Sequence, residues 1–391
     1  MMSAKPPDMG RTVNFYSSGY AGGAGWFTHE LAGAMVQAGM RVNLIAPKPD
    51  DGIPHASGAG FSHFIVPSGG AGKGGLPRRL WRTVVKTSGA FWLLLKSRRL
   101  SRDYLFTFMD WLVIGFLQFL FIKLIRGRIT FIVHDATPHA WSMPDRLRGF
   151  EKYLLRMSYR IADRLVTLTE AARRELIDEY GIDGSRVTVI PHGAYVPPDA
   201  RPLDATGQII LFGALRRNKR VREAIAAFAM HGHRFPRLRL LIAGAPHKED
   251  EAYWRECEAM IEGHESRISV ELGFVEEARL HRLIAQSEGV LLAYEDFNSQ
   301  SGVAVLACFS LRPMIATRAG GIGELCRDGL EITEVSRPVN ADTVADALER
   351  FSAMGADELR ASAARSAASL ARSLSWSAIG QSYRRLYDTQ R

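Results

Sequence analysis

Apolar residues fall in short runs, separated by glycine-rich turns and by stretches of helical spacing. Val13–Tyr16 reads as a strand, residues 19–25 as a glycine-rich turn, and Phe27–Ala38 as a helix that Gly39 ends. Further strands are predicted at Val42–Ala46, Tyr104–Met109 and Ile129–Val133, with a helix over Trp111–Ile125 that Asp110 would cap and Gly127 would end. Arg164–Leu168 and Val187–Ile190 add two strands around a helix over Glu170–Tyr180. Strands alternating with helices predict a parallel sheet with right-handed crossovers. The pattern breaks at the proline-containing stretch 197–207 and restarts with strands at Ile209–Phe212, Leu238–Ala243, Ile268–Leu272, Gly289–Ala293 and Met314–Thr317, and a helix over Arg222–His231. The expected architecture is α/β: two doubly wound halves, residues 1–196 and 208–374, joined by a linker at 197–207. Open parallel sheets bind ligands beyond the C-terminal ends of their strands, so two such halves facing each other would form a cleft.

Composition narrows the partners. The chain has 391 residues, 47% of them hydrophobic and 23% charged, with a formal net charge of +9; it can bury two cores, and its positive field suits phosphates, nucleic acid or an anionic membrane. The same charge also fits a solubilising surface with no partner. Cys257, Cys308 and Cys326 lie far apart without metal-ligand spacing, which fits a reduced, cytoplasmic protein. No signal-peptide pattern is expected from the polar stretch 1–11. The longest apolar run, Trp111–Ile125, is shorter than the roughly 20 residues of a spanning helix and reads as buried or membrane-apposed. Arg78, Arg79, Arg82, Lys86, Lys96, Arg98 and Arg99 interleave with Leu80, Trp81, Val84, Val85, Phe91 and Trp92. That segment suits a peripheral position at the inner face of the plasma membrane. It also fits a packed helix with its cations in water, and a nucleic-acid groove ranks below both because no nucleic-acid-binding motif accompanies it.

Several residues carry candidate chemistry. Arg216 and Lys219 follow a predicted strand and Gly213, where cations and backbone N–H groups can hold a diphosphate; in the alternative they are solvated members of the basic run 216–222. Ser301, Gly302 and Val303 would open a helix whose N-terminus favours phosphate, or are an ordinary helix start. Gly22-Gly23 could cradle phosphates or an acceptor, but a dinucleotide fingerprint is not met. His134 ends a strand on the ligand side, or is structural; Asp135 could orient it, act as a base, or cap a turn. Glu324 could accept hydrogen bonds from hydroxyl groups of a ligand, or be an N-terminal helix acid stabilised by the dipole.

The order of these features resembles the family 4 glycosyltransferases of the GT-B fold. The resemblance rests on Gly22-Gly23 with Leu31-Ala32 and Gly39, Phe131–Asp135, Ala162–Glu170, and Val189–Gly193, where His192 stands in place of asparagine. Past the linker it rests on Phe212–Lys219, Leu272–Val275, Gln300–Val303, Arg312-Pro313 and Gly320–Glu324. It implies a GT-B fold of two Rossmann-like domains and a terminal helix, residues 375–391, crossing back to the first. It implies hexosyl transfer from a nucleotide sugar held by the C-terminal domain, with Phe274 in the loop lining the base pocket and His134 near the donor sugar. Exopolysaccharide or lipopolysaccharide assembly on a lipid-linked saccharide acceptor is the implied setting; no cofactor and no metal are expected.

One departure stands out. The family's two glutamates, eight residues apart, contact the donor sugar and the ribose; counting back from Pro313, their positions hold Asn298 and Leu306, and Glu295 is off register. Two other classes stay open: a sugar-nucleotide epimerase of the same architecture, and a non-catalytic partner of an active transferase.

Overall fold

The computed structural model describes residues 10–49, 53, 58–67, 75–109, 111–138, 141, 143–194, 204, 206–246, 250–295 and 297–389. The expected linker and the Asp110 cap lie largely or wholly outside them. The chain forms two compact units, one ending at Gly193 and rejoined from Leu374, the other Ala194–Ser373.

In chain order the first unit contains β1 (Thr12–Tyr16), α1 (Gly22–Gln37), β2 (Arg41–Ala46), β3 (Phe61–Ile65), α2 (Leu76–Ser97), β4 (Asp103–Phe106), α3 (Leu112–Leu124), β5 (Arg128–Val133), α4 (Arg148–Ile161), β6 (Arg164–Thr167), α5 (Glu170–Asp178) and β7 (Val187–Val189). The strands form one parallel sheet in the order β3-β2-β1-β4-β5-β6-β7. The chain winds outward from β1 to β3, then returns to β4, so the switch point lies between β1 and β4. The central strands read as unbroken apolar runs because helices cover both faces. One polar group in that core is fully satisfied: buried Asn14 donates to Ser97 O (3.1 Å) and Ser101 O (3.0 Å) and accepts from Asn43 Nδ2 (2.9 Å).

The second unit contains β8 (Gln208–Phe212), α6 (Val221–His231), β9 (Arg239–Gly244), α7 (Glu251–Ala259), β10 (Ile268–Leu272), α8 (Glu277–Gln286), β11 (Gly289–Leu292), α9 (Gly302–Phe309), β12 (Met314–Ala316), α10 (Gly320–Arg327), β13 (Ile332–Glu334), α11 (Ala341–Ala353) and α12 (Ala356–Leu370). Its parallel sheet runs β10-β9-β8-β11-β12-β13, with the switch point between β8 and β11. Arg312, fully buried, donates to Ile284 O (2.9 Å) and Ala285 O (2.7 Å), satisfying carbonyls at the C-terminus of α8.

The last helix, α13 (Trp376–Asp388), packs on α1 and buries Ile379, Tyr383, Leu386 and Tyr387 in the core of the first unit. Gly380 permits this: a Cβ there would lie 2.2 Å from Ala34 O.

Two expectations are corrected. The first helix begins at Gly22 and not near Phe27, so the Gly22-Gly23 pair forms its first turn instead of a preceding loop. The first N–H groups of a helix have no intrahelical partner, so glycine is tolerated there. The helix predicted from Trp111 begins one residue later with Trp111 as its N-cap, and among the described residues no helix is long and apolar enough to cross a membrane.

Candidate functional site

At the switch point of the second unit, the loop after β8 meets the loop after β11, and Glu295 N donates to Asn218 O (2.9 Å). Lys219 ends a single 3-10 turn, Arg217–Lys219, with Arg216 as its N-cap. The Lys219 amine lies 3.4 Å from Phe212 O and 5.5 Å from the centroid of the Tyr294 ring. A Cβ on Gly213 would sit 3.0 Å from that amine and 3.7 Å from Val303 Cγ2, so Lys219 and Val303 converge over Gly213. Burial, and secondarily the charge of Arg216, pushes the Lys219 amine down to about 8. Ser301 caps α9, accepting from Ala304 N (3.1 Å), and Gly302 faces open space.

The basic run 216–222 sorts into two groups. Arg217 stacks on the Tyr253 ring at 4.7 Å; Arg220 pairs with Glu223 (3.1 Å) and Glu295; Arg222 lies 3.8 Å from both Glu223 and Glu256. Among the described residues, Arg216 and Lys219 have no carboxylate partner, and Arg216 Nε is buried without a hydrogen bond. A desolvated pair of cations beside a helix N-terminus is suited to a polyanion.

Two further residues expected at the site sit on other elements of the second unit. Phe274 follows β10, two strands away from β8, with 85% of its surface exposed. Glu324 lies beyond the first turn of α10, half-buried, with Arg327 3.9 Å away. The Gly320-Gly321 pair before it admits protein and not ligand: a Cβ on Gly320 (φ +42°) would lie 1.8 Å from Phe297 O, and one on Gly321 2.4 Å from Ser299 O. Asn298, on that loop, is exposed, and Leu306 is half-buried in α9, so neither family glutamate position carries an acid.

In the first unit, Gly22 (φ +51°) and Gly23 face open space at the start of α1. His134, just past β5, stacks on Phe108 (4.3 Å between centroids), meets the edge of Phe27 (4.9 Å), and pairs through Nε2 with Thr107 Oγ1 (2.9 Å). Phe27 also touches His192 (5.1 Å), which lies 5.8 Å from Trp376. Burial lowers both imidazoles to about 4; the neighbouring His192 lowers His134 further, and Asp135 opposes that shift. Burial therefore keeps both rings neutral at pH 7. Asp135 follows it, half-buried, beside the Tyr159 hydroxyl that donates to Ala136 O (2.7 Å). Thr107, Phe27, Phe108 and Trp376 were not foreseeable: each reads locally as a strand or helix residue, and Trp376 joins from the far end of the chain.

Residues 21–195 match the family model Glycosyltransferase Family 4, and residues 206–353 match Glycosyl transferases group 1. The chain belongs to glycosyltransferase family 4. Members are nucleotide-sugar-dependent, retaining hexosyltransferases. No curated protein matches in sequence. Among solved structures, a sucrose-phosphate synthase from Thermosynechococcus elongatus is 16% identical, with a TM-score of 0.72, covering 97% of this chain and 98% of its own. HepE of Anabaena, in complex with UDP and glucose, is 16% identical, with a TM-score of 0.67 and coverages of 97% and 99%. An alpha,alpha-trehalose-phosphate synthase (UDP-forming) from Burkholderia vietnamiensis is 15% identical, with a TM-score of 0.66 and coverages of 97% and 98%. At these identities the likeness establishes the fold, GT-B, for this family 4 chain.

Proposed function

We propose that this enzyme transfers a hexosyl group from a uridine diphosphate sugar to a lipid-linked saccharide at an anionic membrane surface, in the assembly of a bacterial exopolysaccharide or lipopolysaccharide. The observation that carries the donor half is the pair Arg216 and Lys219, left without carboxylates at the switch point of the second unit. As the bond from C1 of the sugar to the diphosphate breaks, negative charge grows on the leaving group. These cations and the N-terminus of α9 at Ser301, Gly302 and Val303 stabilise it without a metal. The acceptor oxygen bonds to C1, and its proton goes to the departing phosphate oxygen, so no protein base is required. His134, neutral, hydrogen-bonds a sugar hydroxyl, with Asp135 orienting it; Gly22-Gly23 gives the substrate close access to backbone. Phe274 offers an exposed ring to the base, and Glu324 a carboxylate to the ribose.

The acceptor half rests on the outer surface of α2 and α3. Phe91 and Phe121 join the two helices (5.2 Å), and they expose Trp81 (64%), Val84, Trp92, Leu95, Leu117, Leu120 and Leu124 (79%). Residues 76–126 hold ten Lys and Arg against two Asp. Apolar side chains ringed by cations match an anionic lipid surface. Lys86 of α2 donates to Ser18 O (3.1 Å), linking this face to the switch point of the first unit.

The absence of acids at Asn298 and Leu306 favours one rival, a partner that binds the donor without turning it over. Incubation with a panel of nucleotide sugars and a membrane extract, with anomeric configuration read by NMR, decides between them. Transfer with retention supports the proposal; tight donor binding without transfer or hydrolysis supports the partner; interconversion of the donor sugar supports an epimerase.

A further inference from the structure

Arg220 has φ +54° and ψ +42°, the left-handed region that favours glycine, although it carries the largest kind of cationic side chain. It is both the end of the Arg217–Lys219 turn and the N-cap of α6, and its side chain makes no capping hydrogen bond. A glycine would meet the backbone demand better, so the side chain has to offset it. Its guanidinium grips two acids, Glu223 at 3.1 Å and Glu295.

Glu295 is itself tied on every side. It is buried; its N–H donates to Asn218 O (2.9 Å), one carboxylate oxygen takes Arg220, and the other accepts from Val339 N (3.4 Å). One side chain thus joins the loops that follow β8, β11 and β13. Both of its oxygens are engaged within the protein and the residue is buried, so it serves the loop framework and does not stand where either missing glutamate would. Yet burial and the neighbouring Arg216 both oppose the charge on Lys219, and a loop holding two cations side by side needs an opposing restraint. We infer that Glu295 is a positioning residue for the donor diphosphate: through the Arg220 guanidinium it ties the Arg217–Lys219 turn to the loops after β11 and β13, and so aims Arg216 and Lys219 at the ligand. This rests on the donor-site reading above.

The test compares Glu295→Gln, Arg220→Gly and their double variant with wild type and Lys219→Ala by isothermal titration. The probe is whichever of UDP, GDP or ADP binds wild type most tightly, together with its nucleoside. Glu295→Gln and Arg220→Gly should each weaken the diphosphate about tenfold while the nucleoside stays within about twofold, and the double variant should be no worse than either, because all break one link. Arg220→Gly also relieves the backbone, so it should melt above Arg220→Ala; it keeps the test open even where Glu295→Gln folds poorly. Wild-type diphosphate affinity in Glu295→Gln, with Lys219→Ala impaired, overturns the inference and leaves the donor site standing. Equal losses for diphosphate and nucleoside, or additive losses in the double variant, overturn it as well. An unimpaired Lys219→Ala, or no diphosphate binding by wild type, overturns the donor site and this inference with it.

Discussion

Replacing Lys219 by methionine should make the ligand-free protein more stable and a worse binder of UDP. Burial lowers the amine from its usual 10.5 to about 8, a shift equivalent to about 3 kcal/mol against the charged form. At pH 7 the amine is protonated in both folded and unfolded chains, so the folded chain carries that whole penalty. Methionine has a similar length and no charge, and we expect it to recover about 1–2 kcal/mol after relaxation and loss of the contact with Phe212 O. For a unit of this size that corresponds to a melting temperature about 2–6 °C higher. A charge-assisted bond to a phosphate is worth about 1.5–3 kcal/mol, so UDP affinity should drop about ten- to a hundredfold, with uridine unaffected. The pH dependence follows. A bound diphosphate raises the amine's pKa, so wild-type UDP affinity should be flat just below pH 8 and decline as pH rises above it, with proton uptake on binding between the free and bound values. Scanning fluorimetry and titration calorimetry in buffers of different ionisation heat read all three effects. Unchanged UDP affinity, or a lower melting temperature, in Lys219→Met would refute the reasoning.

His134 and His192 are held neutral with pKa values near 4; an unfolded histidine titrates near 6.5, so the first unit should lose stability as pH falls through that window, by up to about 3 kcal/mol for each histidine. An acid melt of His192→Phe flatter than wild type would confirm this, and an unchanged slope would contradict it. Gly302→Ala meets no neighbour and should leave the melting temperature within about 1 °C while weakening UDP, whereas Gly320→Ala collides with Phe297 O and should lower stability by more than 2 kcal/mol, about the scale of a strained backbone site. Trp81→Ser with Trp92→Ser should reduce co-sedimentation with anionic vesicles, and wild type should detach as salt rises; equal binding to neutral vesicles would count against the α2–α3 surface.

What the sequence revealed and what it hid have separate physical causes. The interior strands were readable because a strand covered on both faces is a nearly continuous apolar run, as Leu240–Ala243 is, and as Val42–Ala46 is apart from Asn43. β3 and β13 escaped because they are short and half-polar: Ser62 and His63 interrupt the apolar positions of β3, and Thr333 and exposed Glu334 those of β13. Arg216 and Lys219 stood out as a basic pair after a strand and a glycine, but nothing local told them apart from Arg217, Arg220 and Arg222; only the positions of Glu223, Glu256, Glu295 and Tyr253 do. The two Gly-Gly pairs look alike in one dimension. Gly22-Gly23 faces open space and Gly320-Gly321 faces a neighbouring loop, a difference made by residues far from either.

The placement of α13 sets an order of assembly during synthesis. The second unit is one continuous segment, 194–373, and can close as soon as it has left the ribosome. The first unit is made earlier yet stays incomplete, because Ile379, Tyr383, Leu386 and Tyr387 fill its core. The half synthesised first therefore finishes folding last, and until then the groove along α1 that receives this helix is an exposed apolar surface, open to chaperones and to the same helix of a neighbouring chain. A nonsense mutation that removes only α13 should spare the second unit and leave the first one aggregation-prone.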